Sequence, residues 1–207
     1  MHVEEMFADN PAGVTEALTG STVGIAGAGG LGSNIAILLA RAGVGKLMVA
    51  DFDVVETRNL NRQCYFTDQV GMPKVHALGQ TLARINPGLG YVGLRARLDR
   101  QTCCDCFADA DILVEALDQA ESKQFLLEEW LTRLPGKPVV AASGLAGSGG
   151  TDRLRVFRAG TLTVCGDFES GLDRGTVSAR VGIVASMMAN EVISILVDGV
   201  PRTEGRP

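Results

Sequence analysis

The sequence predicts an α/β fold: a doubly wound, mostly parallel sheet with an antiparallel edge hairpin near the C-terminal third. Three observations support this prediction. Short apolar runs alternate with segments of helical periodicity, as in chains built from repeated strand–helix–strand units. Hydrophobic residues make up 46% of the 207 residues but aromatic residues only 5%, which indicates an aliphatic core. Finally, two apolar runs joined by a glycine turn follow residue 153 and predict the hairpin.

The first half of the chain alternates predicted strands and helices. Strands are predicted at Thr22–Ala26, Lys46–Ala50 and Tyr91–Arg97, and helices at Leu31–Ala42 and Lys74–Ile85. The helices follow from apolar residues spaced three and four positions apart, and Gly43 closes the first of them. The polar stretch 53–71 is long for a loop in a compact domain, so we predict that it is ordered and functional.

The second half continues the alternation and then changes character. We predict a short helix at Thr102–Ala108, a longer one at Ala120–Leu134 and a last helix at Arg180–Val197. Strands are predicted at Ile112–Ala116 and Pro138–Ala142, and the two strands of the hairpin at Leu154–Phe157 and Leu162–Cys165. The last helix is apolar on more than one side, which predicts deep burial or a subunit interface. No linker divides the chain. We predict one domain over 1–207, with an N-terminal segment (1–20), a nucleotide-binding core (21–143), and the hairpin and last helix (144–207).

Composition argues against several classes of protein. The net charge is −5 and no basic run is present, so no nucleic-acid partner is expected. No apolar stretch reaches eighteen residues without interruption, so no membrane span is expected. Five cysteines and a start without a basic, apolar leader predict reduced thiols and a cytoplasmic location.

A glycine turn follows the first predicted strand. Gly27, Gly29 and Gly32 form G-x-G-x-x-G, and Asp51 ends the next strand. In Rossmann-like sites the first glycine permits a tight turn, the second lets the backbone approach phosphate, and the third allows close packing. The helix that begins here offers free N–H groups to an anion, and Asp51 is placed to bind ribose hydroxyls or to cap the following turn. These residues suit NAD and ATP equally.

Three charged residues favour a triphosphate. A triphosphate under nucleophilic attack needs cations to spread its charge, and Arg62 and Lys74 lie on or after the long loop. A lysine at a helix N-terminus opposes the helix dipole unless an anion shares the site. Asp118 follows a parallel strand and is a candidate Mg²⁺ ligand. The alternatives are a surface ion pair of Arg62 with Glu56 or Asp68, a solvated Lys74, and a helix-capping Asp118.

Five motifs together resemble the ThiF/MoeB/HesA family of activating enzymes, relatives of the ubiquitin-activating enzyme. They are G-A-G-G-L-G-S at 27–33, D-F-D-V-V-E at 51–56, N-L-N-R-Q at 59–63, G-M-P-K at 71–74 and A-L-D-Q at 116–119. A looser similarity covers 141–147 and 179–185. The run D-F-D-V-V-E followed by N-L-N-R-Q is far more specific than the glycine turn alone. The short length resembles the compact members linked to thiamine synthesis.

The resemblance implies MgATP-dependent adenylation of the C-terminal Gly-Gly carboxylate of a ubiquitin-like sulfur carrier protein, most simply the thiamine carrier. It implies catalytic roles for Arg62, Lys74 and Asp118, with Mg²⁺ on Asp118. It implies nucleotide binding by Gly27, Gly29, Gly30, Gly32, Asp51, Asn59, Arg62, Gln63 and Lys74. The apolar last helix separately predicts a homodimer through that helix and the region around it. The rival interpretations are a tRNA-modifying member of the same family, a carrier-binding scaffold without turnover, and an NAD-dependent oxidoreductase.

The sequence departs from the family pattern in two places. Larger members carry two C-x-x-C pairs for zinc, whereas Cys103 and Cys106 form a single pair, so no zinc site is expected. Cys165 is the least implausible thiol for a covalent bond with the carrier. Many relatives have an N-terminal Arg that reaches a partner's ATP, but residues 1–20 contain no Arg or Lys, which leaves Arg174 and Arg180 as candidate replacements.

Overall fold

The fold is known from a computed structural model, which describes residues 3–200. One seven-stranded sheet runs through that part of the chain in the order β3-β2-β1-β4-β5-β7-β6. The strands are β1 (Thr22–Ala26), β2 (Lys46–Ala50), β3 (Gly90–Leu94), β4 (Ile112–Glu115), β5 (Val139–Ala142), β6 (Arg155–Ala159) and β7 (Leu162–Gly166). The α-helices are α1 (Val14–Thr19), α2 (Gly30–Ala42), α3 (Lys74–Ile85), α4 (Ala120–Arg133) and α5 (Ser178–Asp198).

The sheet confirms the predicted fold class. Each strand pair is parallel except β6 with β7, which forms the antiparallel edge. The chain moves from β1 outward through β2 to β3, then returns to place β4 on the other side of β1. The order therefore reverses between β1 and β4. In open α/β sheets the ligand crevice lies at this position, at the carboxyl ends of the strands.

Helices cover both faces of the sheet. On one face α2, α3 and α5 pack over an aliphatic core that includes Ile35, Leu78 and Val184. On the other face α4 packs with the segment around Phe107, and Trp130 is fully buried there. A fully buried aliphatic side chain contributes about 1.5–3 kcal/mol, so these two layers account for most of the stabilisation of the sheet.

Several element boundaries differ from the predictions. Strand β3 ends at Leu94, because the residues after it leave the sheet toward the cavity described below. The predicted helix Thr102–Ala108 contains only a 3-10 turn at Asp105–Phe107. In the hairpin, Arg158 and Ala159 belong to β6, since Ala159 pairs with Leu162 across a turn in which Gly160 has φ of 58°. Only glycine adopts that conformation at little cost.

Helix α5 packs along α2 and against β5 and β7. Its buried side includes Val184, Met188 and Val192, as the prediction of deep burial requires, while Ile183 is exposed. Within residues 3–200, α5 is long and apolar enough to cross a membrane when judged by length and composition alone, a test that the core helices of soluble proteins also pass. The expectation of no membrane span therefore stays a prediction.

A buried ion pair joins the start of α5 to the residues that follow β7. Arg180 Nη2 lies 2.6 Å from Asp167 Oδ2, and its Nη1 donates to the carbonyl of Gly149 at 2.6 Å. Burial alone raises the pKa of Asp167, but hydrogen bonds from the backbone of Ser170 and Glu169 and the charge of Arg180 lower that pKa to about 2. Because Arg180 is buried and paired, it is not available to replace an N-terminal Arg at a partner's site.

We predict that Asp167→Asn lowers the free energy of unfolding at pH 7 by about 3–5 kcal/mol, because Arg180 is left buried without its counter-charge. The depressed pKa means that the wild-type pair contributes fully above about pH 4 and is lost as pH falls toward 2. Urea unfolding at several pH values should therefore show that the difference in free energy of unfolding between variant and wild type becomes smaller from pH 4 to pH 2. The exposed Asp173→Asn is the control, and a pH-independent difference would contradict the assignment.

Candidate functional site

A cavity of ≈ 850 Å³ opens at the carboxyl ends of β1, β2, β4 and β5, where the strand order reverses. It is lined by the glycine turn, residues 50–53, residues 96–98, the segment 116–123, residues 142–145, and parts of 170–176. A second cavity of ≈ 840 Å³ lies beside Tyr65–Gln69 and α3, and none of the predicted site residues lines it. The first cavity is therefore the candidate site.

The glycine turn is packed too tightly for side chains. A Cβ atom on Gly27 would lie 2.6 Å from the carbonyl oxygen of Ala116, and one on Gly32 would lie 1.9 Å from the carbonyl oxygen of Gly27. Gly27 also has φ of 99°. Gly29 and Gly30 line the cavity together with Gly27, but no backbone atom lies close to the position of a Cβ atom on either of them. Gly27 and Gly32 thus bring β1, β4 and α2 together, and Gly29 and Gly30 leave backbone N–H groups at the start of α2 open to an anion.

Asp51 connects the glycine turn to the loop after β2. Its Oδ2 accepts a hydrogen bond from the backbone N–H of Ala28 at 2.7 Å, and its Oδ1 accepts one from Asp53 at 2.8 Å. The carboxylate is largely buried at the cavity wall. Asp51 therefore caps the turn that follows it, which is one of the two roles expected from the sequence. It also lies at the ligand crevice, where its contact with a ribose stays a prediction.

Lys74 begins α3 and its ammonium group is almost completely buried. Its Nζ lies 2.8 Å from Asp53 Oδ2 and 3.9 Å from Asp51 Oδ2. These carboxylates are the anions that a buried lysine at a helix N-terminus requires. Asp53 was not among the predicted site residues, although the D-F-D motif places it two residues after Asp51. Lys74 is thus a cavity residue and not solvated helix surface.

The long loop brings Arg62 and Gln63 to the cavity but not Asn59. The Arg62 guanidinium donates to Asn61 Oδ1 at 2.8 Å, and Glu56 pairs with Arg58 instead. Gln63 is buried, and its Oε1 has no hydrogen-bond partner, which leaves an acceptor for a ligand or, after an amide flip, a donor.

Asn59 and α2 organise the base of this loop. Asn59 Oδ1 accepts a hydrogen bond from the backbone N–H of Glu56 at 3.3 Å, so its side chain orders the loop in this structure. Asn34 Nδ2 donates to the carbonyl of Arg62 at 3.1 Å, and Ser33 Oγ accepts from the N–H of Cys64 at 3.1 Å. These contacts fix the loop against α2, and the phosphate contact expected of Asn59 stays a prediction.

Asp118 lies on the turn between β4 and α4, and its exposed side chain faces the cavity. It does not cap α4, because that helix has Gln119 at its N-cap and no side-chain cap. An exposed carboxylate at a ligand crevice suits Mg²⁺, which prefers oxygen ligands together with phosphate oxygens.

Glu115 and Lys123 were missed by the sequence analysis. Glu115 ends β4 and is fully buried, with Lys123 Nζ 2.5 Å from its Oε2 and the backbone N–H of Leu117 2.8 Å from its Oε1. Lys123 lines the cavity. Burial raises the pKa of Glu115, although the charge of Lys123 opposes that rise. A charged residue at the end of the apolar run I-L-V-E was the available signal.

Burial raises the pKa of all five cysteine thiols. Cys165 is buried, and burial together with the charge of Glu191 raises its pKa to about 12, so the suggestion that it bonds to a carrier is not supported. Burial and the neighbouring thiol of Cys104 raise the pKa of Cys103 to about 12. Among residues 3–200, no group of three or more His, Cys, Asp or Glu side chains is arranged to hold a metal ion. The expectation of no zinc site stays a prediction.

Comparison with known proteins decides the family. A model of the ThiF family matches residues 4–206. The chain belongs to the ThiF family. It is 31% identical over 202 residues to the adenylyltransferase and sulfurtransferase UBA4 of Kluyveromyces lactis, covering 92% of this chain and 44% of that protein. It is also 31% identical to the SAMP-activating enzyme E1 of Haloferax volcanii, covering 91% of this chain and 72% of that enzyme.

The fold of this ThiF-family chain also matches solved structures. The E. coli tRNA N6-threonylcarbamoyladenosine dehydratase TcdA, solved in complex with ATP, superposes with a TM-score of 0.85 over 95% of this chain and 93% of that chain. The identity is 16%, so this match shows the shared fold alone. The chain spans less than half the length of the UBA4 proteins it matches.

We predict that Lys123→Met destabilises the protein at neutral pH by about 3–5 kcal/mol, because Glu115 becomes a buried carboxylate without a counter-charge. Burial already raises the pKa of Glu115, and removal of the ammonium should raise it further. Protonation of Glu115 relieves the penalty, so the deficit in urea unfolding should shrink as pH falls. Arg133→Met, which breaks an exposed pair with Asp105, is the control and should change little. A deficit that is constant with pH would contradict this prediction.

Proposed function

We propose that this chain is an adenylyltransferase that uses MgATP to activate the C-terminal carboxylate of a ubiquitin-like carrier protein. The observation that carries the proposal is a single cavity that joins the open N-terminus of α2, the buried ammonium of Lys74 and the exposed carboxylate of Asp118. The relatives named as an adenylyltransferase and as an activating enzyme E1 support it.

The cavity suits a nucleoside triphosphate. Open N–H groups at Gly29 and Gly30 and the helix dipole favour a phosphate group. Asp51 is placed to accept ribose hydroxyl hydrogen bonds, and Arg62 and Lys74 supply positive charge from the same side of the crevice. Lys74 must exchange Asp53 for phosphate oxygens when the nucleotide binds. Asp118 would hold Mg²⁺, which when bound neutralises phosphate charge.

The proposed reaction needs orientation more than acid–base chemistry. A carboxylate oxygen of the carrier attacks the α-phosphorus, an acyl–phosphate bond forms, the bond to the β-phosphate oxygen breaks, and pyrophosphate leaves. The nucleophile is already ionised at neutral pH, so no general base is required. Arg62 and Lys74 hold the phosphates in line and stabilise charge on the departing pyrophosphate. Gln63 and Asn59 support that side through the loop.

The identity of the carrier is a finer proposal. Length and motif resemblance suggested the thiamine carrier, but the relatives named above carry the names of other activating enzymes. We therefore propose activation of a carrier linked to sulfur transfer, without restriction to thiamine. A tRNA-linked role is the rival within the family. We further propose a homodimer, supported by the exposed apolar side chains Val177 and Ile183 at the start of α5.

A scaffold that binds carriers without turnover is the second candidate. The absence of Arg and Lys from residues 1–20 favours it, since the family resemblance implies an N-terminal Arg in many members. Calorimetry with MgATP and with NAD⁺, followed by pyrophosphate exchange with Gly-Gly-ending carriers, separates the candidates. The enzyme requires MgATP binding and carrier-dependent exchange. A scaffold would bind MgATP without exchange, and NAD⁺ binding alone would reject adenylation.

We predict that Lys74→Ala lowers carrier-dependent pyrophosphate exchange at least 100-fold, because the triphosphate loses a positioned charge worth several kcal/mol in the transition state. Arg84→Ala is the matched control, since Arg84 is exposed at the far end of the same helix. Exchange should remain near wild type in that control. If Lys74→Ala is folded by circular dichroism and exchanges pyrophosphate at the wild-type rate, Lys74 has no role in the reaction.

We predict that Asp118→Ala weakens the dependence of nucleotide binding on Mg²⁺ while leaving metal-free ATP binding nearly unchanged. The reason is that Asp118 is an exposed carboxylate of the cavity wall and makes no side-chain hydrogen bond among residues 3–200. Calorimetric titration with ATP at increasing Mg²⁺ concentrations measures the effect. The control is Asp109→Ala, because Asp109 is also an exposed aspartate. Asp111 is less suitable, since its carboxylate accepts a hydrogen bond from the backbone N–H of Thr22. An unchanged Mg²⁺ dependence would exclude Asp118 as the ligand.

A further inference from the structure

The cations of the cavity come from different sides of the crevice. Arg62 and Lys74 approach from the loop and helix that follow β2, and Arg97 follows β3. Lys123 alone belongs to the side formed by β4 and β5, among the Lys and Arg side chains that line the cavity within residues 3–200. Residues 142–145, which follow β5, also line the cavity. Three of the four Lys and Arg residues that line the cavity within residues 3–200 therefore follow β2 or β3, and only Lys123 follows β4.

Lys123 is held in place but keeps donors free. A lysine ammonium has three N–H donors, and the structure uses one of them for Glu115 at 2.5 Å. The Lys123 side chain is 23% exposed, and Lys123 lines the cavity. Because Glu115 is fully buried and also bonds to Leu117, it cannot follow Lys123 into solvent. The pair thus presents a fixed, charged group with unused donors to the β5 side of the cavity.

The chemistry of the proposed reaction creates a need for such a group. A carboxylate that approaches a triphosphate is repelled by like charge, and at short range in a partly desolvated site that repulsion amounts to several kcal/mol. Cations on the β2 side are occupied by the phosphates under the proposed function. A carboxylate that enters beside β4 and β5 would meet Lys123, the cavity cation that follows β4.

We propose that Lys123 binds the C-terminal carboxylate of the incoming carrier protein, and that Glu115 is the positioning residue that orients the Lys123 ammonium toward it. This inference rests on the proposed function and assigns the substrate-binding half of the same cavity. It gives Lys123 a task separate from the phosphate-side role of Lys74. It also explains why a carboxylate is retained at the buried end of a central strand, where its desolvation is costly.

The test compares two variants with the same neutral residue at position 115. Glu115→Gln retains the Lys123 ammonium, whereas the double variant Glu115→Gln with Lys123→Met lacks it, and neither leaves a buried carboxylate unpaired. Each protein is saturated with Mg²⁺ and an ATP analogue with a methylene bridge between the α- and β-phosphorus atoms. It is then titrated with a Gly-Gly-ending carrier that supports exchange, and with the same carrier bearing a C-terminal amide.

We expect the double variant to bind the carboxylate carrier about tenfold more weakly than Glu115→Gln, because one charge-assisted contact is lost. The amidated carrier should bind the two variants equally. When Arg replaces Met at position 123 of the double variant, a cation is present again, and the preference for the carboxylate carrier over the amidated carrier should be partly restored. If the double variant loses equal affinity for both carriers, or loses none, the inference is overturned. A loss of analogue binding in the double variant alone would assign Lys123 to the phosphates instead.

Failure of the inference is distinguishable from failure of the proposed function. If wild-type protein shows no exchange with any carrier tested, adenylation itself is rejected before Lys123 is considered. If wild-type exchange is present and the two variants do not differ in their preference for acid over amide, only the Lys123 assignment falls. Urea unfolding of both variants confirms that the comparison is made between folded proteins.

Discussion

The Asp51 carboxylate is the contact on which the site depends. One of its oxygens holds the backbone of the glycine turn at Ala28, and the other holds Asp53, whose side chain in turn binds Lys74. A single buried carboxylate thereby connects three parts of the crevice: the glycine turn, the end of β2 and the start of α3. Hydrogen bonds to an ionised acceptor are about twice as strong as neutral ones, which suits a residue with this many partners.

Buried charge recurs at two further places where the chain leaves the sheet. Glu115 with Lys123 holds the turn after β4, and Asp167 with Arg180 holds the segment after β7. Such pairs add little net stability, since desolvation offsets their attraction, but loss of one partner is costly. Their effect here is to fix loop geometry. The positions that a ligand would contact are consequently set by ion pairs beneath the surface, in addition to hydrophobic packing.

Much of the fold was predictable because periodicity and glycine placement determine it locally. Helix α3 and strands β1 and β2 were predicted to the residue, since apolar spacing defines their limits, and Gly43 correctly marked the end of α2. The predicted end of β3 at Arg97 was wrong, because tertiary contacts and not propensity decide where a strand leaves a sheet. Glu115 and Lys123 are eight residues apart on different elements, and nothing in a linear pattern states that they meet. Asn59 was assigned to the ligand by motif, and only the structure reveals its backbone partner.

The glycine turn alone does not distinguish a dinucleotide site from a triphosphate site, because both need a tight turn and open N–H groups. What differs is the charge placed around it. Here the loop after β2 carries Arg62 and ends in the buried Lys74, and α4 adds Lys123 across the crevice. A dinucleotide with two phosphates that are never attacked has no use for cations on both sides. Cations on opposing sides instead suit two anions that must approach each other, which is the electrostatic problem of joining a carboxylate to a triphosphate.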